Sequence, residues 1–126
     1  MKMLFPPDLD LIRNLLQESF KTNSIHECKL AARELAYYYR IPAPTIYWWE
    51  HVHFDVQDKS AVGDAWGKTT STGVIELTSP ESWRKEAPGR GWKGWARIFF
   101  HEWYHYLYWV NDENKANAFA RKAMEQ

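Results

Sequence analysis

His101-Glu102-Trp103-Tyr104-His105 is the stretch from which the rest of the chain is read. One helical turn takes about 3.6 residues, so side chains four apart stack on one face. If the stretch is helical, His101 and His105 aim two imidazoles at one point. Glu102 then lies about 100° further round, at the rim of that face. A carboxylate there reaches a water held between the rings without taking a place beside them. That is the position a general base needs.

The residues on either side favour a helix. Trp92, Trp95, Ala96, Phe99, Trp103, Tyr106 and Val110 recur at three- and four-residue steps and make an apolar stripe. Ile98, His101, His105 and Tyr108 form a second stripe beside it. One face is predicted to bury and the other to face a cleft. No Pro or Gly interrupts Trp95 to Val110, and Asn111-Asp112 ends the run. His-Glu-x-x-His is also the spacing of the zinc-hydrolase motif. The competing reading is a pair of hydrogen-bonded histidines in an aromatic core.

A catalytic zinc site takes three protein ligands and keeps a fourth position for water. The next acidic candidates follow at once, in Asp112-Glu113-Asn114-Lys115-Ala116-Asn117-Ala118-Phe119-Ala120. Asp112 suits a helix N-cap, with Glu113 in the first turn. Glu113 and Asn117, four apart, share a face, and Ala116 and Ala120 are small enough for close helix packing. A short helix-turn-helix would return Glu113 over the metal, with Asn117 behind it to hydrogen-bond a ligand. Asp112 is the substitute third ligand. His51 and His53, on one face of a predicted strand, are a rival source, although such a pair more often marks a solvated face.

His-Glu-x-x-His followed by Glu-x-x-Ala-Asn resembles the gluzincin metallopeptidases, and the small size resembles the minigluzincins. The specific match runs from Phe99 to Met124. The resemblance implies one Zn2+ bound by His101, His105 and Glu113, with Glu102 as base and acid. Asn117 stands where many relatives have Asp, and the link from His105 to Glu113 is shorter than in many gluzincins. The resemblance also implies that an extended peptide pairs with a strand above the metal. The candidate is Asp64-Ala65-Trp66-Gly67, where strand addition would hold the backbone and side pockets would select the sequence. Tyr108, one turn past His105, is a candidate oxyanion donor.

A chain of 126 residues suits a single domain, 1–126, able to bury a core without staples. Eight Trp and seven Tyr imply dense aromatic packing or an aromatic-lined groove. Sixteen basic residues balance sixteen acidic ones, which argues against a strong electrostatic grip on nucleic acid. A single cysteine, Cys28, rules out an intrachain disulfide and reads as a small core residue. Met1 to Pro7 has no signal-sequence pattern and no apolar run reaches membrane-spanning length, so a cytoplasmic protein is expected.

In chain order, Asp8 opens a helix with Leu9, Ile12, Leu15, Leu16 and Phe20 on one stripe. Ser24-Ile25-His26-Glu27 is a capping-box pattern opening a second helix, which Ile41-Pro42-Ala43-Pro44 stops. Thr45 to Trp49 is predicted as a strand. Ala61 to Lys68 and Gly73 to Thr78 read as a hairpin around a Thr/Ser-rich turn, and Ser79-Pro80-Glu81 opens a short helical turn. Helices and strands are segregated, so the class is α+β. The expected architecture is a compact zincin-like domain: N-terminal helices, a small mostly antiparallel sheet, an active-site helix and a C-terminal glutamate helix. The expected function is hydrolysis of peptides or unfolded protein, with a latent or non-catalytic zinc-binding domain as the alternative. Met1 to Pro7 is the segment expected to block the cleft if the protein is latent.

Overall fold

The chain runs α1 (Leu9–Thr22), α2 (Ile25–Tyr39), β1 (Thr45–Trp49), β2 (Ala61–Asp64), β3 (Gly67–Thr70), β4 (Val74–Thr78), α3 (Pro80–Glu86), α4 (Gly91–Tyr108) and α5 (Glu113–Glu125). This is a computed structural model, and it describes residues 5–50, 61–64 and 66–125. The arrangement is α+β: an N-terminal helix pair, a small mixed sheet, then the histidine and glutamate helices. His51 and His53 lie outside the described residues. Among the described residues no helix is long and apolar enough to cross a membrane.

The first helix buries Leu9, Ile12, Leu16 and Phe20, the predicted stripe, while Leu15 sits at its margin. It packs against Cys28, Ala31, Ala32, Leu35 and Ala36 of α2, a face whose small residues permit close approach. Burial pushes the Cys28 thiol up to about 12, so it stays protonated and acts as a core group. The Ser24 side chain makes no hydrogen bond to the start of α2, so the expected reciprocal box is not formed. Glu27 instead bonds the Ser24 side chain, which holds its carboxyl below the usual range. Both helices end on a left-handed residue, Asn23 and Arg40.

The strand order is β1-β4-β3-β2. β1 runs parallel to β4, and the other two pairings are antiparallel. The hairpin expected from Ala61 to Thr78 contains a second reversal. Asp64 pairs with Gly67, so the segment read as one strand to Lys68 is two strands joined by a tight turn. Thr69 and Thr70, expected in a turn, belong to β3. Their β-branched side chains suit a strand, and Thr69 is buried. Ser79 caps α3 as expected, its Oγ accepting from the Ser82 N–H at 3.2 Å.

Helix α4 is the axis of the molecule, touching α1, α3, α5 and strands β2, β3 and β4. It starts four residues before Trp95 and stops at Tyr108, short of the expected Asn111, because Trp109 adopts a left-handed conformation. Trp95, Phe99, Phe100 and Trp103 are fully buried on it, and Trp83 of α3 and Phe119 of α5 pack around them. Two of the buried indoles are anchored: Trp95 Nε1 donates to the Thr78 carbonyl at 2.8 Å and Trp83 Nε1 to the Gly91 carbonyl at 2.9 Å. Dense packing thus accounts for Trp83, Trp95 and Trp103, whereas Trp49 and Trp109 are exposed.

Gly94 shows how tight this axis is. A Cβ there would lie 2.9 Å from Trp83 Cζ2 and 3.3 Å from Arg90 Cβ. In an open helix Gly→Ala gains about 1 kcal/mol. Here overpacking a rigid buried ring costs about 1–3 kcal/mol. Gly94→Ala is therefore expected to lower the melting temperature by a few degrees in a thermal scan. A raised melting temperature would mean that Trp83 moves aside.

Candidate metal centre

The middle of α4 is apolar on nearly every side, so its polar residues must be satisfied locally. His101 is 3% exposed and His105 0%. Their ring centroids are 4.8 Å apart and their Nε2 atoms 3.1 Å apart, as four-residue spacing predicts. Each Nδ1 faces an acceptor: the Asn117 Oδ1 at 2.8 Å for His101 and the Val110 carbonyl at 2.6 Å for His105. An acceptor at Nδ1 favours the proton there, and in a neutral ring with that tautomer the lone pair is on Nε2. In that tautomer the two imidazoles turn two acceptors toward each other.

Glu113 adds a third. Its Oε2 lies 2.9 Å from His101 Nε2 and its Oε1 2.8 Å from His105 Nε2. The turn 109–112 makes this possible. Trp109 breaks the helix and its N–H returns to the His105 carbonyl at 2.7 Å, and the Val110 carbonyl is thereby turned onto the His105 ring. Asp112, the substitute ligand, is the N-cap of α5: its Oδ1 accepts from the Lys115 N–H at 3.0 Å. The carboxylate in the cluster is that of Glu113. Ala116 and Ala120 are buried where α5 meets α4, and Asn117, one turn after Glu113, reaches His101.

Three such donors around one point form a group that could hold a metal ion. His101, His105 and Glu113 each offer one ligand atom within 4.8 Å of the others. Tetrahedral zinc with bonds of about 2.0–2.1 Å separates neighbouring ligand atoms by roughly 3.3 Å. The two Glu113 oxygens each meet a different imidazole, at 2.9 and 2.8 Å, and one ligand atom from each residue lies within 4.8 Å of the others, close enough to share one ion. Two imidazoles and one carboxylate are also the donor chemistry of catalytic zinc. The triad could hold a metal ion, and its geometry is consistent with a zincin-type site.

Glu102 is fully buried beside it, its Oε2 3.9 Å from His101 Nε2. Thr69 Oγ1 lies 2.8 Å from the Glu102 Oε1 and 3.0 Å from the Glu102 carbonyl oxygen, so one hydroxyl pins both side chain and backbone. Gly67 covers the carboxylate from above. A Cβ at Gly67 would sit 2.8 Å from Glu102 Cγ and 3.0 Å from its Oε2. β3 thus holds Glu102 through two residues on one face, Gly67 and Thr69, spaced by the strand period of two.

The other expected site residues are more dispersed. Asp64 ends the edge strand β2, Gly67 begins β3 and Trp66 lies in the turn between them. Ala65 is outside the described residues. Trp66 is docked, its ring 5.1 Å from that of Trp83 and its carbonyl accepting from the Thr78 N–H at 2.9 Å. Tyr108 closes α4 with its ring 4.8 Å from Tyr104. Burial, then the neighbouring Tyr108 and Asp112, raises the Tyr104 hydroxyl above its ordinary value. From the N-terminal segment, Phe5 stacks on Phe119 at 5.1 Å. Phe119 is two residues beyond Asn117 and thus about 200° round α5 from it.

Sequence reasoning did not find Thr69 or the Val110 carbonyl. The Gly67-Lys68-Thr69 alternation was the available signal for Thr69, and it was obscured by reading the threonines as a turn. A backbone carbonyl leaves no mark in the sequence. Comparison with protein-family models, with curated proteins and with solved structures finds no match to this chain. The gluzincin-like character rests on the His101-Glu102-x-x-His105 motif and the converging Glu113.

The supports separate in their effects. Asn117→Ala is expected to weaken zinc affinity by about 10–100-fold in a competition titration, since the His101 ring loses its anchor. Thr69→Val touches only Glu102 and is expected to leave that affinity within about twofold. Equal losses in both variants would contradict this division of labour.

Proposed function

We propose that this protein is a zinc-dependent metallopeptidase that hydrolyses peptide bonds, with Glu102 as general base. The observation that carries the reading is the convergence of His101, His105 and Glu113 beside a buried carboxylate outside the ligand set. A structural zinc site is normally closed by four ligands and has no use for a base. Zinc held by the three residues would supply the Lewis acidity that brings a water near neutral pKa and polarises a peptide carbonyl.

The chain's own residues do the rest. Asn117 and Val110 fix both imidazoles in the metal-binding tautomer. Glu102 takes the proton of the attacking water and delivers it to the leaving amine. Thr69 keeps one Glu102 oxygen engaged so that the other stays aimed past His101. The turn from Asp64 through Ala65 and Trp66 to Gly67 is our proposed rim for an extended peptide, held by main-chain pairing to the β2 edge. Tyr108 is the proposed oxyanion donor. The partner is a peptide or an unfolded segment, and neither nucleic acid nor membrane enters this reading.

One observation favours a second reading. Glu102 and His105 are completely buried and His101 nearly so, whereas Glu113 has a side chain 43% exposed. Most of the cluster is thus withdrawn from solvent, which suits a latent or purely zinc-binding domain. Glu102→Gln separates the two. For the peptidase, zinc per chain is retained and cleavage of a quenched peptide library falls by about 10²–10⁴-fold. No cleavage by either protein, with one zinc bound, establishes the latent reading. Glu113→Ala is expected to lose zinc on dialysis while Glu125→Ala keeps it, and equal retention would remove Glu113 from the site.

A further inference from the structure

A small pocket opens directly beside His101, lined by Arg90, Gly94, Arg97, Ile98, Asn117 and Ala120 as well as His101 itself. Its volume is about 120 Å³. Sites that take whole ligands run to roughly 300–1,000 Å³, so this one has room for a side chain or a chain end. Arg90, Gly94, Arg97 and His101 follow one another at helical steps of three and four, so the pocket lies along one face of α4 and ends at the metal triad.

The charge is one-sided. Two arginines border the pocket and, among the described residues, no acidic residue does. Arg90 sits with its guanidinium carbon 4.9 Å from the centre of the Trp83 ring, which limits its freedom while leaving its N–H groups available. The first turn of α4 contains no acidic residue to offset the positive end of the helix dipole, and that end adjoins the same pocket. Ile98 and Ala120 supply an apolar wall of the kind that packs a methylene stem.

We propose that this pocket binds a carboxylate of the peptide substrate next to the bond that is cut, through Arg97 and Arg90. It rests on the metallopeptidase reading for the word substrate, but the binding preference itself does not require turnover. The carboxylate comes either from a Glu or Asp side chain or from the C-terminus of the peptide. The first makes the protein a peptidase selective for acidic sequences, and the second makes it one that trims chain ends.

Binding is measured by fluorescence anisotropy on zinc-loaded Glu102→Gln protein, so that nothing is cut. The probes are labelled, terminally blocked hexapeptides in which Glu or Gln is scanned through each position, and the Gln set with free or amidated C-termini. One class of carboxylate is expected to bind about tenfold more tightly than its neutral counterpart, the effect of one charge-assisted hydrogen-bond pair. Arg97→Gln is expected to abolish that gap, with Arg97→Lys restoring part of it. Arg97 is exposed, so the variant is expected to fold, which circular dichroism checks. A gap at one Glu position identifies the side-chain source, and a gap between free and amidated ends identifies the terminal one. Equal affinities for charged and neutral probes overturn the proposal, as does a gap that survives Arg97→Gln with Arg90→Gln. Wild-type protein that cleaves without acidic preference sinks this proposal and keeps the peptidase reading. A preference in binding with no cleavage by wild type does the reverse.

Discussion

Two imidazoles and a carboxylate meet at distances of 2.8–3.1 Å beside a buried glutamate. Placing like-charged or lone-pair atoms against each other in a low-dielectric interior is unfavourable unless a cation joins them. The surrounding structure is arranged to keep them there. The Nδ1 partners set the tautomers, the small faces of α5 let that helix close on α4, and the aromatic core fixes the roll of α4 about its axis. Any rotation that buried the histidines elsewhere would expose Trp95, Phe99 or Trp103 to water, which costs about 1.5–3 kcal/mol for each large side chain.

The sheet contributes to chemistry through one strand. β3 lies next to the edge, and its buried face bears Gly67 and Thr69 on Glu102. A residue with a side chain at the first position would crowd the carboxylate, and a residue without a hydroxyl at the second would remove one of its anchors. The histidine helix and β3 thus form one unit, with the three residues that could hold a metal on α4 and α5 and the Glu102 carboxylate held from above.

Much of this was legible from residues 99–124. The four-residue repeat of His101 and His105, the aromatic stripe beside it and the Glu113-Asn117 spacing translate directly into geometry, because helical periodicity is regular. The helix ends were less legible. Trp109 takes a left-handed backbone that its side chain disfavours, and only the tertiary fit of the turn selects it. Ala61 to Lys68 reads as one strand, which hides the β2–β3 reversal, and Gly67 there leaves space for a carboxylate. Thr69 failed to stand out for a related reason. Thr/Ser clusters signal turns locally, and burial against a helix thirty-three residues away is not a local property.

All three ligands fall between positions 101 and 113, and the largest gap among them, from His105 to Glu113, spans a single tight turn. Loop-closure entropy rises only with the logarithm of the enclosed length, so an ion bridging so short a stretch constrains few conformations that the chain would not already avoid. An ion held there would act as a local clasp on one helical hairpin and not as a keystone for the whole domain. The N-terminal helix pair and the β1–β4 pairing, which involve none of these residues, would keep their own cohesion without it. Such low contact order also lets the hairpin form early in folding, ahead of the slower parallel strand pairing.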